Sequence, residues 1–152
     1  MGSCIELSSQ TQPYTVSITG STFSYCFGAN QGGALSFQSA SSVVNVALTS
    51  NTFSGNMAVS GGSFFCKECD ITTLVNNKFS GDFANNGGNI YLHNLVNDMT
   101  VAPLFFDGHS HSTSVAATSG GAIYYTEDAP TAPAVKSVSL QFGMQNALST
   151  IS

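Results

Sequence analysis

The sequence predicts an all-β fold over residues 1–152: a parallel β-helix (solenoid) of about five coils, forming one domain or a segment of a longer one. Two marks recur in fixed order, a glycine pair followed by an apolar stretch and a phenylalanine followed by small polar residues. Each mark returns at intervals of roughly 26 to 33 residues, and periods of roughly 20 to 50 residues are typical of solenoids and propellers. The marks are Gly32 and Gly33, Gly61 and Gly62, Gly87 and Gly88, Gly120 and Gly121, with Phe23, Phe53, Phe79 and Phe106.

Short alternating stretches lie between the marks, as in Tyr14–Thr19, Val44–Thr49 and residues 137–140. Apolar and polar residues that alternate with a period of two predict half-buried strands. No stretch has the spacing of an amphipathic helix, and the period is too short for a propeller blade of roughly 40 to 45 residues. A coil of two or three short strands, stacked about 4.8 Å from the next, fits this period.

Each mark has a physical role in such a coil. A glycine pair is expected where the backbone needs a positive φ or approaches the next coil too closely for a Cβ atom. The phenylalanines are expected to form an aromatic ladder, and Asn51 is expected to stack on Asn77 in a ladder of side-chain amides. The residues predicted to point inward after the glycine pairs are Leu35, Phe64, Ile90 and Ile123.

The two ends of the chain lack recognisable caps. Residues 137–140 resemble a strand but no further glycine pair follows them, and residues 4–7 resemble a strand without its pair. Because repeat arrays normally end in atypical units that cover the core, we expect a segment of a longer solenoid or a module whose ends meet partners. Open sheet edges at such ends favour end-to-end self-association.

The composition limits the partners. Only 7% of the residues are charged, and the net charge is −5. The chain has three lysines, Lys67, Lys78 and Lys136, and no arginine. Nucleic acids and anionic membrane surfaces are therefore poor partners, since phosphate groups are bound by clustered cations. No apolar run reaches the roughly 18 residues of a membrane-spanning helix.

The repeat marks resemble those of a known family. Gly-Gly-Ala occurs at Gly32 and Gly120, and Phe-x-x-Asn begins at Phe27 and Phe53. Across residues 20–125 this alternation resembles the repeat of the chlamydial polymorphic outer-membrane proteins and of large surface proteins of protists. The resemblance implies a right-handed β-helix at the cell surface or outside the cell, with a structural or adhesive role, no catalysis and no cofactor. It implies neighbouring coils, further copies, or a host-surface or glycan ligand as partners.

The cysteines offer a second kind of site. Cys66 and Cys69 frame a Cys-x-x-Cys motif, and His93 lies at a similar position in the next coil. A zinc site would use these three residues, with His109 or His111 as the fourth ligand. The favoured alternative has no metal: Cys66 and Cys69 form a small loop disulfide or stay free, and Cys4 and Cys26 are buried apolar thiols.

A polysaccharide-degrading enzyme is the leading catalytic alternative. Asp82 and Asp107 fall near the same corner of adjacent coils, and Glu127 and Asp128 follow in a later loop. Two carboxyl groups at the right separation hydrolyse glycosides as an acid and a base. The absence of arginine argues against anionic sugars as substrates, and Asp82 also suits a turn in which it accepts backbone amides.

Two insertions and one row of hydroxyl groups complete the candidates. Residues 109–119 and 126–136 lengthen the path of their coils, and loops on a rigid scaffold commonly bind ligands. An ice-binding face is a further alternative because Thr22 and Thr52 begin a threonine row, although Lys78 interrupts it.

Overall fold

The computed structural model describes residues 2–10, 12–39, 44–95, 104–106, 110–112, 114–126, 128 and 140–142. These ranges contain sixteen strands and no helix. The strands are β1 (Ile5–Gln10), β2 (Tyr14–Thr19), β3 (Thr22–Ser24), β4 (Leu35–Ser39), β5 (Val44–Thr49), β6 (Thr52–Ser54), β7 (Phe64–Lys67), β8 (Cys69–Val75), β9 (Lys78–Ser80), β10 (Phe83–Asn86), β11 (Ile90–His93), β12 (Leu104–Phe106), β13 (Ser110–Ser112), β14 (Val115–Ser119), β15 (Ile123–Thr126) and β16 (Leu140–Phe142).

Strands that follow one another in the chain lie in different sheets, and all their pairings are parallel. The three largest sheets have the orders β1-β4-β7-β11-β15, β2-β5-β8 and β13-β9-β6-β3, and the pairs β10-β14 and β12-β16 complete the set. The chain therefore winds around a common axis. This arrangement confirms the predicted all-β parallel solenoid.

The number of turns is about three, so the prediction of about five coils was wrong. Three successive turns contribute a strand to all three large sheets: β1 to β3, β4 to β6 and β7 to β9. Later in the chain, β12 pairs with β16 and does not extend the β2-β5-β8 sheet. The glycine pairs gave too high a number because they follow the five-stranded sheet, whereas the β2-β5-β8 sheet has only three strands.

The extra residues of the longest repeat lie before the predicted insertion at 109–119. His93 is in register with Lys67, and Ser110 is in register with Lys78. The stretch from His93 to Ser110 therefore replaces the shorter stretch from Lys67 to Lys78 and contains the additional length. Strands β13 and β14, inside the predicted insertion, continue regular sheets, while of residues 126–136 only 126 and 128 are described.

The core is a stack of inward side chains from successive turns. Leu35, Phe64 and Ile90 are in register and fully buried, and Ile123 follows them, half-buried, at the end of the stack. The alternation predicted for Val44–Thr49 gives β5 three buried apolar residues and three half-buried outer residues. No helix in the described ranges is long and apolar enough to cross a membrane.

Candidate functional site

The glycine pairs form a column along the solenoid, and the two glycines of each pair have different roles. The first glycine has a positive φ, between 52° and 66° at Gly32, Gly61, Gly87 and Gly120. A Cβ atom on the second glycine would overlap a carbonyl oxygen of the next turn: that of Gly62 for Gly33, of Gly88 for Gly62, and of Gly121 for Gly88. Only a residue without a side chain permits these backbones to stack.

Gly121 is the last second glycine of this column among the described residues. A Cβ atom there would have no neighbour within 4 Å among the described residues, in contrast to the preceding second glycines. At the other end, the pairing of Ile5 with Leu35 brings Gly2 and Ser3 to the positions of a glycine pair. Ser3 occupies the second position and Gly2 lacks the positive φ of the other first glycines, so no glycine pair precedes the first strand, as the sequence indicated.

The aromatic ladder contains Phe23, Phe53 and Phe79. Their ring centroids are 5.3 Å and 4.9 Å apart, and the ring planes are nearly parallel at 11° and 7°. Phe106 was predicted as the next member but lies in β12 and pairs with Phe142. The residue in register with Phe79 is His111, because the extra residues of this turn precede it.

Asn51 and Asn77 form the predicted contact between side-chain amides. Asn51 donates from Nδ2 to Oδ1 of Asn77 at 3.0 Å, and its own Oδ1 accepts the backbone N–H of Ser21 at 2.9 Å. Asn77 in turn donates to the carbonyl oxygen of Leu48 at 2.9 Å. Both asparagines are buried, and this network provides backbone groups at the corner with partners across turns.

A second polar column lies three residues after the aromatic ladder and includes Asn56 of the Phe-x-x-Asn mark and Asp82, which accepts a backbone amide as the sequence suggested. Its members, Cys26, Asn56, Asp82 and Ser114, lie on successive turns. Oδ1 of Asn56 accepts the backbone N–H of Cys26 at 3.0 Å, and Oδ1 of Asp82 accepts the backbone N–H of Asn56 at 2.9 Å. In the first turn the Phe-x-x-Asn match that begins at Phe27 points to Asn30, whereas the structure has Cys26 at this position in the column.

Asp82 does not present its carboxyl group to solvent. The residue is only 1% exposed, and its Oδ2 has no hydrogen-bond partner among the described residues. Burial raises the pKa of Asp82 to about 6, although the hydrogen bond from the Asn56 amide opposes the shift. A polysaccharide chain on the surface would not reach this group. Asp107 and Glu127, two of the other carboxylates considered for glycoside hydrolysis, lie outside the described residues.

The four cysteines form two disulfides. Cys66 pairs with Cys69, across Glu68, which has a φ of 58°. Cys4 pairs with Cys26, with their Cα atoms 5.6 Å apart, so the interpretation of these two as free thiols was wrong. Their separation of 22 residues gave no local signal, because they meet across a single turn, which is 30 residues long where Ile5 pairs with Leu35.

The zinc ligands considered from the sequence do not come together. Both cysteines are in the disulfide, Cys66 is in register with Leu92, and His93 is in register with Lys67. His111 lies in β13, a strand of another sheet, and His109 is outside the described residues. In the part of the chain that is described, no three metal-ligating side chains cluster.

His93 instead belongs to a surface cluster with Asn94 and Asp128. Nε2 of His93 lies 3.0 Å from Oδ1 of Asp128, and Nδ2 of Asn94 donates to Oδ2 of Asp128 at 2.8 Å. The backbone N–H of Asp128 donates back to Oδ1 of Asn94 at 2.8 Å. Hydrogen bonds from Asn94 and then His93 lower the pKa of Asp128, which is exposed. The cluster connects Asp128 to the end of β11.

Hydroxyl rows run along the sheet that contains the aromatic ladder. Thr22, Thr52, Lys78 and Ser110 are in register, so the lysine interrupts the row as the sequence indicated.

Comparisons with protein-family models, curated proteins and solved structures gave no match to this chain.

Proposed function

We propose that this chain is a non-catalytic segment of an extracellular or cell-surface, right-handed parallel β-helix with a structural or adhesive role. In this proposal the solenoid lengthens by adding turns of the same kind end to end. The additional turns belong either to further copies or to a longer chain. The observation that carries the proposal is Gly121, the last glycine of the column in the described part of the chain.

A glycine in the second position of a pair is needed only where another backbone packs against it. Gly33, Gly62 and Gly88 meet that condition, since a Cβ on each would overlap the next turn. Gly121 has the same place in its pair but faces no described atom. A further turn seated on Gly121 gives this glycine the same role as the other three.

The strand edges at the two ends support the same addition. β1 and β15 are the two outermost strands of the described five-stranded sheet, and each has one described neighbouring strand, β4 and β11 respectively. Unpaired parallel edges offer rows of N–H and C=O groups to another strand. A β1 strand of a second copy placed beside β15 would bring Gly2 next to Gly120.

The extracellular location is supported by the cysteine chemistry. Disulfides persist in oxidising environments, and all four cysteines are paired. The resemblance of the Gly-Gly-Ala and Phe-x-x-Asn marks to repeats of surface proteins points in the same direction. A stiff rod with few charges suits a stalk that displays loops or binds a glycan or a host surface.

End-to-end addition is tested by sedimentation velocity over a wide range of protein concentrations. We expect the native sequence to form species larger than a dimer as concentration rises, and Gly121→Val to lose them while keeping its melting temperature. Ser17→Val, at an exposed position in β2, is the matched control and should assemble like the native chain. Native chains that never exceed a dimer, or a Gly121→Val variant that assembles normally, would refute the addition of copies.

A further inference from the structure

One side of the solenoid is apolar on its outside. Seven large hydrophobic residues are exposed in the described ranges, and all but Ile5 lie on this side. The six residues, 40 to 72% exposed, are called the apolar stripe: Tyr25, Phe27, Met57, Val59, Phe83 and Val115. Contiguous exposed apolar surface of this kind commonly marks an interaction site.

Four members of the apolar stripe form a straight row along the solenoid axis. Phe27 is bridged to Met57 and Met57 to Phe83, and Phe83 is in register with Val115, always in parallel. Successive side chains in the row are therefore about one strand spacing, roughly 4.8 Å, apart. Tyr25 widens the stripe, since its ring covers Gly55 of the next turn.

On this side of the solenoid the small side chains point into the core and the large apolar side chains point outward, although burial in the core favours large apolar side chains inside. Ala58 and Ala84 point inward and are buried, whereas their neighbours Met57 and Phe83 point outward. Burial inside the solenoid cannot explain large apolar residues at outward positions. A partner that covers the row from outside explains them.

The surroundings of the stripe restrict the chemistry of that partner. Residues 25–31, 55–60, 83–86 and 115–119 contain no aspartate, glutamate, lysine, arginine or histidine. A charged polymer would find no complementary group here. A partner surface that is apolar, uncharged and spaced like a parallel sheet complements this row, and the same row of a second copy has all three properties.

We propose that a second copy of this chain packs on the apolar stripe in antiparallel orientation and forms a closed, twofold-symmetric dimer. A twofold axis between Met57 and Phe83 places Phe27 against Val115 of the partner subunit and Met57 against Phe83 of the partner subunit. Each contact then pairs a phenylalanine with a smaller side chain, and the spacing agrees because strand separation sets it in both copies. Such an isologous contact closes at two and is separate from addition at Gly121.

The test is the dimer dissociation constant in Gly121→Val, a background that removes end-to-end addition. We expect a concentration-dependent dimer, and we expect Phe83→Lys or Val59→Lys in this background to weaken it at least about tenfold, because each buries an unpaired charge. Thr15→Lys, exposed in β2 on another side, carries the same charge change and should dimerise normally. A Gly121→Val protein that stays monomeric, or lysine variants that remain folded by circular dichroism and dimerise normally, would overturn the proposal.

Cross-linking tests the orientation independently. Met57→Cys mixed with Phe83→Cys should yield a disulfide-linked pair containing one chain of each, after mild oxidation. A parallel arrangement would instead link Met57→Cys to itself, which contradicts the antiparallel dimer. These outcomes do not depend on end-to-end addition. The twofold dimer and the addition of turns at Gly121 can therefore be refuted independently of each other.

Discussion

Asp82 accepts two hydrogen bonds from Asn56 of the adjacent turn, through a single oxygen. Its Oδ1 lies 2.9 Å from the backbone nitrogen and 3.1 Å from Nδ2 of Asn56, whereas Oδ2 has no hydrogen-bond partner within the described ranges. In Asn56 the atom at the position of Oδ2 is the amide nitrogen Nδ2, which donates to the carbonyl oxygen of Phe23 at 3.2 Å. An acid thus occupies a position that an amide would satisfy more completely.

The stability of the protein should therefore fall as pH rises from about 4 to about 6. Burial raises the pKa of Asp82 from its ordinary value of 3.8 to about 6, so the folded state binds the proton more tightly than the unfolded state. The resulting stabilisation is fully present below the unfolded pKa and is lost as pH rises through the folded one. The effect is up to about 3 kcal/mol, measured by urea unfolding across this range.

Asp82→Asn should remove this dependence and stabilise the protein at pH 7.5 by about 1 to 3 kcal/mol, with little change at pH 4. The converse variant, Asn77→Asp, places a carboxyl group in the other buried amide column and should introduce a pH dependence of the same sign. An Asp82→Asn variant that gains no stability at pH 7.5 would contradict the account of its burial.

Gly88→Ala and Gly121→Ala should differ sharply, although both change the second glycine of a pair. The new methyl group at 88 would overlap the carbonyl oxygen of Gly121, while at 121 it meets no described atom within 4 Å. We expect Gly88→Ala to lose at least about 2 kcal/mol of unfolding free energy and Gly121→Ala to lose almost none. Thermal and urea unfolding of the two variants, compared below the concentration of assembly, measure the difference.

Phe53→Ala should cost more stability than Phe23→Ala. Phe53 is fully buried between two stacked rings, whereas Phe23 is half-buried and has one stacking neighbour in the ladder. We expect losses of about 3 to 5 kcal/mol for Phe53→Ala and about 1 to 2 kcal/mol for Phe23→Ala in urea unfolding. Equal losses would mean that the ladder does not stabilise its centre more than its end.

Asn94→Ala should raise the pKa of Asp128 towards its ordinary value. The hydrogen bond from Asn94 is the largest cause of the lowered pKa of Asp128, ahead of the contact with His93. Titration of the side-chain carboxyl carbons by NMR measures the change, and Asp82, in a separate column, is the internal reference. An unchanged titration of Asp128 would show that Asn94 does not hold the carboxylate.

Local patterns were sufficient to predict the parallel solenoid, because every turn makes the same demands on its backbone. A positive φ requires the first glycine of each pair, and a close approach to the next turn requires the second glycine at Gly33, Gly62 and Gly88. Alternation within Val44–Thr49 reflects burial of one face of a strand, which depends only on period two. The Asn51 and Asn77 contact followed from their separation of a single repeat.

Tertiary structure alone decided which residues meet where the repeat length changes. Extra residues between His93 and Ser110 shift the register, so His111 and not Phe106 follows Phe79. The path of the chain within the first turn brings Cys4 to Cys26, at a separation that carries no local signal.

The same long-range register buries Asp82 and aligns the apolar stripe on the outside. The length of a repeat depends on many residues. Neither the composition nor the periodicity of the sequence shows where within a turn the extra residues lie. The sequence by itself therefore determined the kind of fold and the residues that its backbone requires. The packed turns decided the partners of each side chain, because those contacts depend on the complete path of the chain.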